Sequence, residues 1–595
     1  MRQLFRSYTC AVALGLVWFM LTLNPGARAA ENDAEKFRQL LQDQWEFTLR
    51  ENPLLATSRG DLRYNDRLGD ASPAAFERRN RANQAFMQRL EAIDRERLSA
   101  EDQLNYDLFK EQLRWSLEEY KFGTFLEPVH QRSGFQLFLP RMHERIPLKS
   151  KKQYEDYLAR LRAVPTLIDQ NIALLKKGLK RGITPPRLVL EAVPQQLATL
   201  AKMPVADFPL FQPFKSFPET IDAATQKVLA AKGKQLLEEQ ILPTFDRFKR
   251  FFQESYIPNA KRDIAVNKRH PDGSAFYAYR VKRFTTTDLT PKEIHAIGHR
   301  EVARIRKRML QIIQETDFQG SFAEFVTFLR TDDRFYFTDA EDLVLHYRDI
   351  CKRMDAELPR LFGKLPRAPY GVREIPQYEA PRATTAYYNG PTADGTQPGW
   401  FYVNTYDLKS RPKYEMEALS FHESVPGHHL QIALQQELEN VPPFRTMASF
   451  TAFVEGWGLY AESLGQEAGF YRDPYSEFGF LSYQMWRALR LVVDTGIHAF
   501  GWSREKAINY MLENSALTRT NVENEVDRYI AWPGQALAYK IGQMKIWELR
   551  KRAQKALGEA FDLRAFHDLV LSAGAIPLSI LEQRVDAWIE KLSQS

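Results

Sequence analysis

Apolar residues recurring at three- and four-residue spacing over long stretches confine this chain to a mainly helical architecture. Glu35 to Glu51, Ala74 to Arg97 and Glu101 to Tyr120 each show the pattern. No internal repeat or low-complexity run interrupts it. Pro and Gly mark the connections, as in Ile183-Thr184-Pro185-Pro186, and Met203 to Phe217 reads as a long irregular link. A change of texture occurs at Lys268 to Phe284. There Pro271-Asp272-Gly273 reads as a turn, and the alternating Phe276-Tyr277-Ala278-Tyr279-Arg280-Val281 as a strand. Thr290-Pro291-Lys292-Glu293 then opens a helix, with a threonine cap, proline in the first turn and glutamate three residues on. The expected organisation is an N-terminal helical lobe over residues 30–275 and a C-terminal lobe over 276–595 that carries a small β element.

The N-terminus bears on location and on what holds the fold together. Arg2 and Arg6 precede an apolar run from Cys10 to Leu23, followed by Asn24-Pro25-Gly26 and Ala27-Arg28-Ala29-Ala30, the three-part layout of a cleaved secretory signal over residues 1–29. The run is short of the ~20 residues a membrane-spanning helix needs, so stable membrane insertion is not expected. Cys10 lacks the small and aliphatic neighbours of a lipid-attachment site. Soluble export, to a bacterial periplasm, is the expectation. Loss of the signal removes three arginines and no acid, so the formal charge of +7 falls by three to +4, too little to argue for a nucleic-acid partner. Only Cys351 then remains, which excludes an intramolecular disulfide. Stability has to come from the core, and 44% hydrophobic residues in a chain of 595 suffice for a large one.

Chemistry concentrates between residues 394 and 462. Asp394-Gly395 and Pro398-Gly399 read as turns feeding a strand, Trp400 to Thr405, a candidate rail for an extended peptide with Asn404 at its end. A helix opened around Ser410 to Pro412 runs to His422-Glu423-Ser424-Val425-Pro426-Gly427-His428-His429. In a zinc-binding HExxH helix the two histidines stand one turn apart and the glutamate acts on the bound water. Here the fifth position is Pro426. On a regular helix neither later histidine could join His422 on an ion with bonds of ~2.0–2.1 Å. The helix must be distorted, and Pro426 with Gly427 supplies the means. A two-residue bulge selects His428 and a three-residue bulge His429; His428 is preferred. The third ligand is sought on Phe453 to Glu462, where Gly456 and Gly458 imply close approach of another segment and favour Glu455, leaving Glu462 to orient a histidine. His295 and His299 also have i,i+4 spacing, but Ala296 stands where hydrolysis needs a glutamate, and they read as surface or packing residues.

The stretches HESVPGHHLQ (422–431), FVEGWGLYAE (453–462), RLVVDTGIH (490–498) and WPGQALAYKIGQ (532–543) resemble the bacterial family catalogued as domain of unknown function 885, which is similar at a distance to thimet oligopeptidase and carboxypeptidase Taq. The resemblance implies a large helical zincin-like peptidase with a deep channel. It also implies Zn2+ as cofactor and a third ligand in a Phe-Val-Glu context, matched by Phe453-Val454-Glu455. With Pro-Gly inside the motif it leaves His428 and His429 both open.

Hydrolysis of short peptides is then the expected activity, with Glu423 as general base. His498, Tyr529 and Tyr539 are candidate donors to the oxyanion, Tyr539 first, and Tyr529 is also a candidate for substrate binding. Arg487 and Arg490 are candidates for a substrate carboxylate. A metal-dependent amidase acting on cell-wall amides would need the same water. A non-catalytic periplasmic binding protein would not need Glu423. Peptide length, endo or exo action and oligomeric state are not encoded in any of these features.

Overall fold

The computed structural model describes residues 25–594 except 378, 379, 381, 382, 393, 394 and 396. Residues 1–24 of the expected signal, and Asp394, lie outside them. The chain is 71% helical with one small sheet, so the mainly α expectation holds. No helix among the described residues is long and apolar enough to cross a membrane.

Two compact units divide the chain, one formed by 1–52 with 74–121 and the other by 53–73 with 122–595, so the division expected at 275/276 falls inside the second unit. The first contains the helices Pro25–Glu51, most of Pro73–Glu91 and Ala100–Phe122, matching the three periodic stretches. Their apolar stripes meet in Phe37, Leu40, Phe86, Leu90 and Leu108, with Phe47 edge-on to Phe86 at 5.6 Å.

In the second unit a 31-residue helix, Lys151–Arg181, capped by Ser150 and ended by Gly182 at φ +66°, anchors an aromatic-rich core that includes Tyr157, Phe214, Phe245, Phe248 and Phe252. The link after Met203 consists of short 3-10 turns, as expected. Residues Gly273–Thr285 form a helix, not the strand read from the alternation of Phe276 to Val281. Gly273, Phe276, Tyr277, Val281 and Thr285 are its buried positions, and that three- and four-residue spacing overrides the local alternation. The next helix, Pro291–Glu315, has the expected capping box of Thr290 and Glu293. It packs along Pro474–His498, where Gly298 admits Leu491 and Val492.

The sheet has strands β1 (Tyr370–Glu374), β2 (Ala386–Asn389) and β3 (Gly399–Val403) in the order β1-β3-β2. β3 runs parallel to β1 and antiparallel to β2, with Phe401 opposite both Val372 and Tyr388. The strand expected to serve as an open rail is therefore the central one. Both its edges are occupied, and β1 and β2 are the outer strands. Phe401 and Val403 are fully buried, and Phe401 meets Tyr347 of the helix Ala340–Leu361 edge-on at 5.4 Å. β2 packs beside the two short helices that carry the histidine motif.

Candidate metal centre

The motif is a broken helix. Met416–Glu423 stops at Ser424, whose backbone (φ −102°, ψ −115°) leaves the helical region, and a second helix starts at His428 and runs to Gln436. The Val425-Pro426 peptide is cis. His429 N–H donates to Ser424 O at 3.0 Å, one residue beyond helical register. The break is held from outside by Trp457, whose Nε1 donates to Pro426 O at 2.8 Å, and by contact between Ser424 Oγ and Cys351 Sγ at 3.2 Å. Gly427 is required by close approach, because a Cβ there would lie 2.0 Å from His422 O and 2.2 Å from Phe421 O. Gly427→Ala is accordingly expected to cost about 1–3 kcal/mol of stability as the backbone shifts. Urea denaturation measures this, and an unchanged midpoint would show that the break tolerates a side chain.

The break brings His428, not His429, beside His422, with ring centroids 4.7 Å apart at 81°. Glu455, on the helix Thr451–Glu467, places Oε2 3.6 Å from Nε2 of each histidine, and the three donor atoms lie within 4.8 Å of one another. A separation of 3.6 Å is too long for a hydrogen bond. Donors sharing one tetrahedral ion at ~2.0–2.1 Å would stand ~3.4 Å apart, close to the 3.6 Å that separates Glu455 from each histidine. Gly458 makes room for it, because a Cβ there would meet the His422 ring at 2.8 Å, while Gly456 lies against Gly542.

Surrounding groups fix the donors. His422 Nδ1–H donates to Glu462 Oε1 at 2.8 Å, which turns the Nε2 lone pair toward Glu455. Glu462 is fully buried and also meets Gln484 Nε2 at 3.4 Å and Arg487 Nη2 at 3.5 Å. Behind it, the buried Lys540 ammonium donates to Gln484 Oε1 (3.0 Å) and Gln543 Oε1 (2.8 Å) and pairs with Glu301 at 3.1 Å. Burial pulls Lys540 down to about 8 against the charge of Glu301. At His422 desolvation works against the charged form, but Glu455, Glu462 and Glu423 outweigh it and push the imidazole up to about 9. Glu423 is half-buried at the end of the first helix, and its side chain makes no hydrogen bond among the described residues.

The other expected residues lie elsewhere in the network. His429 is buried with Nδ1 accepting from Tyr388 O–H at 2.8 Å and its ring against Tyr370; burial pushes it down to about 4. His498 is fully committed, accepting from Val266 N–H at Nδ1 (3.2 Å) and bonded through Nε2 to Tyr529 O (3.0 Å), so no proton remains for an oxyanion. Tyr529 donates to Glu525 (2.9 Å) and accepts from Arg490 Nε (3.2 Å), while Arg490 pairs with Glu525 at 3.0 Å. Both are buried structural partners, not free substrate ligands. Asn404, 1% exposed, spends its amide on Ala380 O and Thr384 O and accepts from Tyr406 N–H, closing the loop around β3 instead of facing a peptide. Tyr539 contacts Arg528 (3.3 Å) and lies under Arg490, and no hydrogen bond joins it to the histidines. Lys540, Gln484, Gln543 and Glu301 escaped the sequence reading. The available signal was a lysine and a glutamine three apart on one face of the helix Ala538–Leu557, directly after Tyr539, a face that the structure buries.

Fold and site together define a mainly helical protein with a partly buried cluster of two histidines and one glutamate. The chain belongs to the family described as bacterial protein of unknown function (DUF885), whose profile matches residues 53–585. A protein from Colwellia psychrerythraea, described provisionally as a lipoprotein, has a crystal structure that superposes with a TM-score of 0.88 at 27% identity, covering 95% of this chain and 99% of that one. A second, from Shewanella oneidensis and described provisionally as a lipoprotein of unknown function, has the same fold at 18% identity, with a TM-score of 0.71 over 92% of this chain and 99% of that one. None of the curated proteins matches the sequence.

Proposed function

We propose that the chain is an exported zinc-dependent metallopeptidase acting on short peptides. The observation that carries the reading is the convergence of His422, His428 and Glu455 at ligand spacing, with Glu423 next to His422 in the chain. Two histidines and one carboxylate are a protein donor set used by catalytic zinc sites, and these three residues would hold the ion. Zinc held there supplies the Lewis acid that makes water a nucleophile at neutral pH. Glu423 would take a proton from the attacking water on its carboxylate and pass it to the leaving nitrogen. Glu462 holds the proton on His422 Nδ1 throughout. Buried walls around the histidines keep the local dielectric low, which strengthens each of these interactions.

The outer strand β2, which packs beside the broken helix, is the place for substrate, since an extended peptide can align with an outer strand by main-chain hydrogen bonds. An envelope or exported location is supported by the signal-like N-terminus and by the provisional description of the Colwellia relative.

The test is metal analysis of the purified mature protein by mass spectrometry with a screen of short peptides. About one zinc per chain and cleavage of at least some peptides are expected, and a metal-free, inert protein overturns the reading. The histidine assignment has its own check. His428→Ala should abolish zinc binding, whereas His429→Ala should keep much of it, because His429 is occupied by Tyr388. Zinc content of the two variants, with circular dichroism to verify folding, decides; the reverse pattern excludes His428 as ligand.

A further inference from the structure

We infer that His295 and His299 form a second, non-catalytic binding site for a borderline divalent metal ion such as nickel, copper or zinc. Both stand on the helix Pro291–Glu315 at i and i+4, and their Nε2 atoms are 3.1 Å apart. Their rings lie 4.7 Å apart at 84°, nearly the disposition of His422 and His428 at 4.7 Å and 81°. Two nitrogens on one ion with bonds of ~2.0–2.1 Å stand ~2.9–3.4 Å apart, from square to tetrahedral geometry.

Each far nitrogen already has the partner that orients a metal-bound imidazole. His295 Nδ1 meets Thr495 Oγ1 at 2.7 Å, and that hydroxyl gives its own proton to Leu491 O. Nδ1 therefore carries the proton, and Nε2 presents a bare lone pair. The proton between the two Nε2 atoms belongs to His299, whose Nδ1 accepts from Tyr510 O–H at 3.0 Å. When an ion enters, this proton moves to His299 Nδ1 and Tyr510 oxygen accepts it. Both imidazoles stay neutral, both Nε2 lone pairs face the ion, and no net proton is released. Phe500, at 4.7 Å from the His295 ring, and Trp502, at 5.5 Å, keep that ring in place.

Neutral imidazoles without a carboxylate select borderline ions over calcium or magnesium. His299 is exposed, so water completes the coordination. Nearby Lys506 opposes a cation at His295, and two ligands alone make a modest site. Ala296 gives it no base, which removes hydrolysis from its roles. What it does offer is a tie between three helices, because Thr495 lies on Pro474–His498 and Tyr510 on Arg504–Asn514.

Untagged, zinc-loaded protein titrated with Ni2+ in a calorimeter provides the test, with thermal melting alongside. Uptake of one Ni2+ per chain and a raised Tm are expected. His299→Gln should weaken uptake at least tenfold and remove the Tm rise, whereas His422→Ala should retain both. The substituted position is exposed, and circular dichroism verifies folding. No uptake by the unaltered protein, uptake unchanged in His299→Gln, or uptake lost only in His422→Ala would each overturn the assignment. None of these outcomes depends on whether the first site is catalytic.

Discussion

Glu423→Gln is expected to leave the protein folded and loaded with zinc while hydrolysis falls by roughly 10²–10⁴-fold, the usual weight of a general base. The amide matches the carboxylate in shape but cannot accept a proton. The Glu423 side chain makes no hydrogen bond among the described residues, so its replacement disturbs no packing network. Its distance from the role of ligand is structural, because Glu455 already occupies the carboxylate place between His422 and His428. Activity on the best peptide of the screen is measured together with zinc content. Retained activity removes Glu423 as base. Loss of zinc in this variant makes it a ligand and invalidates the mechanism.

The second large effect is expected for His422→Ala and Glu455→Ala. Each removes one of three protein donors, and binding at two donors in a site shaped for three should fall by orders of magnitude, leaving little metal after dialysis. Glu455→Ala should be the more disruptive, since it leaves His422 and His428 facing each other without the carboxylate that compensates their burial. Holo protein should melt higher than either variant, because an ion that binds only the native state stabilises it. Stoichiometric metal surviving both replacements together would sink the donor assignment.

The sequence showed some of this and concealed the rest for identifiable reasons. Long helices were visible because their packing is written in a local period. Gly273–Thr285 was misread because six residues of aromatic alternation imitate a strand when the buried face behind them is not known. Trp400 to Val403 was correctly a strand, but whether a strand is central or at an edge depends on partners elsewhere in the chain, and nothing in its own residues reports β1 on one side and β2 on the other. Glu455 and Glu462 were found together because seven residues return a helix to the same face. That His428 and not His429 stands beside His422 could not be read locally, because Tyr370 and Tyr388, which hold His429, lie tens of residues earlier. His498, Tyr529 and Arg490 resembled catalytic groups because polar side chains in apolar helices look alike whether they face a cleft or satisfy remote backbone and buried acids.

The donors and their support are distributed very differently along the chain, and that has a consequence for the order of events in folding. His422, His428 and Glu455 come from one short segment, Met416 to Glu467, whose closure requires only small loops. Glu301, Gln484 and Lys540, which stand behind Glu462, must be gathered from distant helices. Contacts local in sequence form sooner than those that close long loops. A nascent chain can therefore assemble a loose cradle with the right donors before the buried lysine arrives to fix its orientation. Early capture and late tightening would be separate kinetic stages of a single site, with metal exchange rapid in the first and slow in the second.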